Sequence, residues 1–178
     1  DPGAFAPLFD RLVRERAARD GVDESQARIV VRRELGAFEA ARGNWPEAAG
    51  HYGQALELAK ALQNADAVFA TELECARAQA SSQRWLAVQH ATEAWNLARL
   101  LGRTEAQVEA GLLLTSLLHD QGQPDQADPY YEAMLALPAA DRLRIAAQQA
   151  RLTPPDGSGR LRARWQRVID LAHARGDA

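Results

Sequence analysis

Four histidines, one cysteine and 24 carboxylates are the side chains with which this chain could do acid–base, nucleophilic or metal chemistry. A zinc site on one helix needs two histidines one turn apart and a third ligand within reach, as in His-Glu-x-x-His. Here His51, His90, His119 and His173 are scattered, and no such spacing occurs. Cys75 stands alone, so it makes neither an internal disulfide nor a cysteine-based zinc site; a small residue among apolar neighbours reads as a packed thiol. Gly157-Ser158-Gly159 is too short for a phosphate loop, lacking both the following Lys and a preceding strand. No catalytic residue, metal or cofactor is expected. What remains to be explained is a surface.

The elements that carry this surface follow from composition. Alanine and leucine supply 37 and 22 of the 178 residues, a third of the chain in two strong helix formers. β-branched residues are few, which argues against a sandwich, a barrel or a doubly wound sheet. The net charge of −3 excludes a bulk polycationic nucleic-acid binder, so nucleic acid is not an expected partner. The charge is unevenly placed: residues 1–22 are balanced, residues 23–140 carry a net −7, and residues 141–178 a net +4. The basic end reads as arginines on a solvated helix face, since Arg160, Arg162, Arg164 and Arg167 do not form one continuous stripe. No apolar run approaches the roughly 20 residues that span a bilayer. A single cysteine demands no oxidising compartment, so a cytoplasmic location without membrane attachment is expected. The first residue is Asp1 rather than Met, which suggests an excised or processed piece of a larger protein.

An internal repeat organises the chain. Leu58-Ala59, Leu97-Ala98 and Leu171-Ala172 align, with Ala48, Ala87 and Leu161 behind them. Gly43, Ser82 and Asp156 lie further back, and another copy holds Gly122, Ala127, Tyr131 and Met134. The copies are spaced 39, 40 and 34 residues apart. Helix signals fit two helices per copy. A first helix is expected from about Pro7 to Asp20, and Asp23, Asn44, Asp66 and Thr104 are expected to open later ones. About nine helices joined by tight turns imply antiparallel neighbours and an all-α fold. The domain plan is an N-terminal helix at 1–22, three helix pairs over 23–140, and a degenerate fourth pair or C-terminal cap at 141–178.

The first copy runs Leu35-Gly36, Gly43, Trp45, Ala48, Tyr52, Ala55-Leu56. This pattern resembles the tetratricopeptide repeat. The third copy keeps Gly122, Ala127, Tyr131 and Leu135, with Pro124 at the aromatic place; the second keeps Ala87 and Ala94 but has Cys75, Ser82 and Ala91 elsewhere. The resemblance implies a right-handed α-solenoid of antiparallel helix pairs. Small residues at the crossings let helices approach closely, and each pair, too small to bury its own apolar face, must stack on the next. Periods longer than the family's usual 34 resemble lengthened repeats of bacterial regulatory proteins, and the surplus should extend the helices.

In the family the first helix of each pair lines a concave groove. Mapped here, that groove would present Val30, Arg33, Phe69, Glu72, Gln79, Glu109, Leu112 and His119. Such a mixture suits a peptide held by a few anchors. Arg33 fits the place where chaperone-tail binders hold a carboxylate, but Ala37 replaces their Asn, so that clamp is absent. The implied function is a non-enzymatic protein–protein interaction module within a larger bacterial regulatory or signalling protein. The partner would be a protein or peptide segment. A ligand- or peptide-sensing domain and a homo-oligomeric scaffold are the alternatives.

Overall fold

The computed structural model describes residues 2–138, 141–155, 157 and 159–175. Among the described residues there are nine helices and no strand. They are α1 (Pro2–Asp20), α2 (Glu24–Ala41), α3 (Trp45–Ala61), α4 (Ala65–Gln79), α5 (Arg84–Leu100), α6 (Thr104–Asp120), α7 (Pro124–Leu135), α8 (Arg142–Leu152) and α9 (Arg160–Arg175). The all-α expectation is met. A loop follows α8 where Pro154-Pro155 forbids continuation; Asp156 and Ser158 of that stretch, like Asp1, lie outside the described residues.

Local signals account for most boundaries. The Asp23 carboxylate accepts from the backbone N–H groups of Ser25 and Gln26 at 2.8 and 2.9 Å and so starts α2. Asp141 does the same for α8 through Arg144 N–H at 3.1 Å. Two caps differ from expectation. Asn64, not Asp66, caps α4, its Oδ1 accepting from Ala67 N–H at 3.0 Å. Arg103 occupies the cap position of α6, with Thr104 already inside the helix. Asn44 caps α3 by position only, because its side-chain amide donates to Glu39 at 2.5 Å instead. The first helix also begins earlier than Pro7, which sits close enough to its start that the missing N–H costs a single bond. The extra residues of the long repeats lengthen helices: α2, α3, α5 and α6 have 17 or 18 residues, and turns of about three residues join α3 to α4 and α5 to α6. Gly43 and Gly122 end α2 and α6 at φ of +80° and +73°, conformations that other residues adopt only with strain.

The chain forms two compact units, Asp1–His90 and Ala91–Ala178. In the first, α1 packs on α2, α2 on α3 and α4, and α3 on α4. In the second, α6 packs on α7 and α8, α7 on α8, and α8 on α9. Contact of successive helices, with α2 also reaching α4 and α6 reaching α8, fits a solenoid of helix pairs.

Small residues make the close crossings, as the repeat pattern implies. In the first unit Ala48, Tyr52, Cys75 and Ala78 form one cluster, and Phe9, Val13, Ala27 and Val31 another. Gly36 of α2 lies flat against the Tyr52 ring; a Cβ there would stand 2.7 Å from Tyr52 Cε1. In the second unit Gly111 plays the same part, facing Met134 Sδ and the Trp95 ring at 2.5 and 2.6 Å from its would-be Cβ. Tyr52 and Tyr131 fill space between helices, both buried. Trp165 does not: it is 44% exposed on α9.

Candidate functional site

The first helix of each pair must display side chains for a surface to exist, and the structure divides the eight expected residues. Five lie in the first unit. Val30 and Arg33 stand on α2, one turn apart and partly exposed; Phe69 on α4 is partly exposed too. The Arg33 guanidinium donates Nε and Nη2 to Glu74 of α4 at 2.8 and 2.7 Å, a two-pronged bond that ties first helix to first helix. That bond, more than burial opposes it, raises the Arg33 pKa. Glu74 was not among the expected groove residues. Its charge alone gave no signal, because the partner sits 41 residues away.

Glu72, one of the expected polar groups, is only 3% exposed. Its carboxylate accepts from His90 Nδ1 of α5 at 2.6 Å and faces Lys60 Nζ of α3 at 3.4 Å. A buried carboxylate is costly unless cations and donors surround it, and this one joins three helices for that reason. Gln79 is likewise buried, and its Oε1 has no partner among the described residues. Neither offers a surface group. Cys75 is buried at 2%, and burial, then Glu72 and Glu74, push its thiol up to about 12. At that value it is no nucleophile at neutral pH.

The other three lie in the second unit, all on α6. Glu109 is partly exposed, whereas Leu112 is 5% exposed and belongs to the core. Gln148 of α8 donates to the Leu112 carbonyl at 2.7 Å. The His119 ring lies 6.2 Å from the Tyr131 ring, and its Nε2 is buried without a partner among the described residues. Burial lowers its pKa, and Arg164 adds to the effect, so the ring is neutral at pH 7.

A concavity that the sequence did not reveal opens between α1 and α2. About 440 Å³ in volume, it has an apolar floor of Leu12, Val31, Leu35 and Phe38 between Glu15, Arg16, Arg19 and Glu34. Phe38 on this floor is 55% exposed. The signal lay in two unpaired observations, an apolar stripe on α1 and an aromatic on the outer side of α2. Their juxtaposition needed the helix packing.

Among the described residues no three His, Cys, Asp or Glu side chains gather as a metal site, and no helix is long and apolar enough to cross a membrane. Residues 36–66 and 112–145 each match the model of the tetratricopeptide repeat. The first segment starts at the glycine that faces Tyr52 and covers the first copy; the second holds Gly122, Ala127, Tyr131 and Leu135 of the third. No curated protein matches the chain.

Proposed function

Because the chain carries tetratricopeptide repeats, units that generally mediate protein–protein contacts, we propose that it is a non-enzymatic module holding a peptide or protein segment on the first-helix face of α2 and α4. The observation that carries this reading is the half-exposed pair of apolar anchors, Val30 and Phe69, on helices locked together by the Arg33–Glu74 bond. Rigid apolar anchors beside satisfied charges supply binding energy without a desolvation penalty for unpaired groups. Glu109 and His119 on α6 are a separate set belonging to the second unit. The 39- and 40-residue spacing supports a place within a larger bacterial regulatory or signalling protein.

The α1–α2 concavity favours a second reading, a sensor that takes an apolar side chain or small ligand there. Its volume lies in the range of ligand pockets, and its rim carries balanced charge. Selecting displayed peptides on the intact chain separates the two. Val30→Glu with Phe69→Glu should abolish binding of the selected peptides while helix content stays unchanged, and Gln54→Glu and Gln89→Glu on second helices should have no effect. Loss through Phe38→Glu alone, with Val30 and Phe69 variants binding normally, would move the site to the concavity.

A further inference from the structure

The last helix is attached in an unusual way. None of the 16 residues of α9 is buried, whereas α7 buries Ala127, Tyr131 and Met134, and α8 buries Ile145, Ala146, Gln149 and Ala150. α9 therefore adds no fully buried side chain to the core of this end. Beside its packing along α8, where Leu161, Val168 and Leu171 are partly buried, α9 is held by charge. Arg160, Arg164 and Arg167, spaced i, i+4 and i+7, meet Asp125, Asp128 and Glu132 of α7 at 2.8, 2.5 and 2.8 Å. Of the four arginines read from sequence as a solvated face, these three line up opposite α7, and Arg162 is not among them. The central pair is the enclosed one: Arg164 Nη2 donates to both Asp128 oxygens while Nη1 donates to Thr153 Oγ1. The outer two pairs are exposed and screened by salt.

Beneath the ladder, between α7, α8 and α9, lies a cavity of about 300 Å³ lined by Asp128, Glu132, Gln149 and the three arginines. Gln149 is 2% exposed, lines this cavity, and keeps an Oε1 with no partner among the described residues. An apolar cap would leave neither such a cavity nor a buried acceptor unmet. A 16-residue helix is marginal in isolation, so α9 owes its order to this docking.

We propose that the acidic face of α7 is a docking surface for an arginine-bearing helix of a partner protein, and that α9 occupies it in cis as a displaceable strap. The occupant is specified by what already fits: guanidinium groups at i, i+4 and i+7, the middle one able to fork onto Asp128 and reach Thr153 at once. Lysine, a point charge with no planar fork, cannot reproduce that. The surface is distinct from the α2–α4 face and does not depend on it.

The test uses the full chain and a labelled synthetic peptide of residues 160–175, with peptide binding read by fluorescence anisotropy and strap docking by amide hydrogen exchange. In the unaltered chain α9 competes and the peptide binds weakly. Arg164→Glu should strip α9 of protection, leave α6–α8 protected, and tighten peptide binding by about tenfold or more. Asp128→Arg with Arg164→Glu rebuilds the pair in reverse, so protection should return and peptide binding weaken again. Should Arg164→Glu unfold α6–α8, salt serves on the unaltered chain: between about 0.05 and 0.5 M NaCl, α9 protection should fall while that of α8 holds. An α9 whose protection ignores both the substitution and salt is an ordinary cap, and the proposal fails. It fails equally if α9 is released and the peptide binds no better. Concentration-dependent dimerisation of the unaltered chain, abolished by Asp128→Arg, would make the occupant a second copy's α9 and overturn the assignment to a foreign helix.

Discussion

Gly36, Gly50, Gly53 and Gly111 sit in helix interiors, and the same substitution among them should have opposite signs. Gly50 and Gly53 of α3 have nothing within 4 Å of where a Cβ would stand. Replacing either with Ala removes the backbone-entropy cost of a mid-helix glycine and should stabilise by about 1 kcal/mol. Gly36→Ala carries the same gain, but its Cβ would press on Tyr52 at 2.7, 2.8 and 3.0 Å from three ring atoms. That ring cannot step aside. Tyr52 is 4% exposed and packed with Ala48, Cys75 and Ala78. Forcing an extra methyl into a filled core costs about 1–3 kcal/mol, so the net for Gly36→Ala is a loss of about 0–2 kcal/mol. Gly111→Ala meets Met134 and Trp95 just as closely. Met134 can adapt, but the buried Trp95 ring stands 2.6 Å away and cannot, so the loss should match that of Gly36→Ala.

The assay is a set of four thermal melts followed by far-UV circular dichroism. About 1 kcal/mol corresponds to roughly 2–4 °C in a chain of this size, so Gly50→Ala should melt above the unaltered protein and roughly 2–12 °C above Gly36→Ala. Helix propensity alone predicts that all four variants gain. If Gly36→Ala rises in Tm as Gly50→Ala does, the close approach of α2 to the Tyr52 ring is not a constraint, and the crossing argument collapses.

Ala48, fully buried at a crossing in the same cluster, should lose about 1–3 kcal/mol as Ala48→Leu, seen as a lower Tm with unchanged helix content. Asp23→Ala removes two capping bonds and should cost about 1 kcal/mol by urea denaturation, with Asp23→Asn keeping most of the stability. Cys75, with its thiol pushed to about 12, should resist a thiol-specific chromogenic reagent at pH 8 in the native protein and react fully in denaturant; fast native reaction would contradict its burial. His119 has a folded pKa below the 6.5 of the unfolded side chain, so the unfolded chain takes up the proton first. Stability is therefore full above about 6.5 and declines as pH falls from there towards the folded value. Melts between about pH 7.5 and 5 should show a smaller fall for His119→Gln than for the unaltered chain.

The sequence by itself determined the helices and their pairing logic. A third of the chain as Ala and Leu, Asp and Asn at helix starts, and glycines at φ-positive stops act within a few residues, and such local preferences can be read without a fold. The spacing of Gly36, Ala48 and Tyr52 was legible for the same reason, since a repeat writes its packing rule as a period. Side-chain fate was not local. Glu72 and Glu74 are both acids on one turn of α4, yet one is drawn into the core by Lys60 and His90 and the other reaches Arg33 across 41 residues. Their helical phase separates them by about 200° at 3.6 residues per turn, so packing on opposite sides decides which is buried. The arginines of α9 show the same limit. Read along the chain they looked like a solvated face, and only the placement of Asp125, Asp128 and Glu132 opposite them made a ladder. Charge complementarity is a property of two surfaces, and only the tertiary structure brings the second one into view.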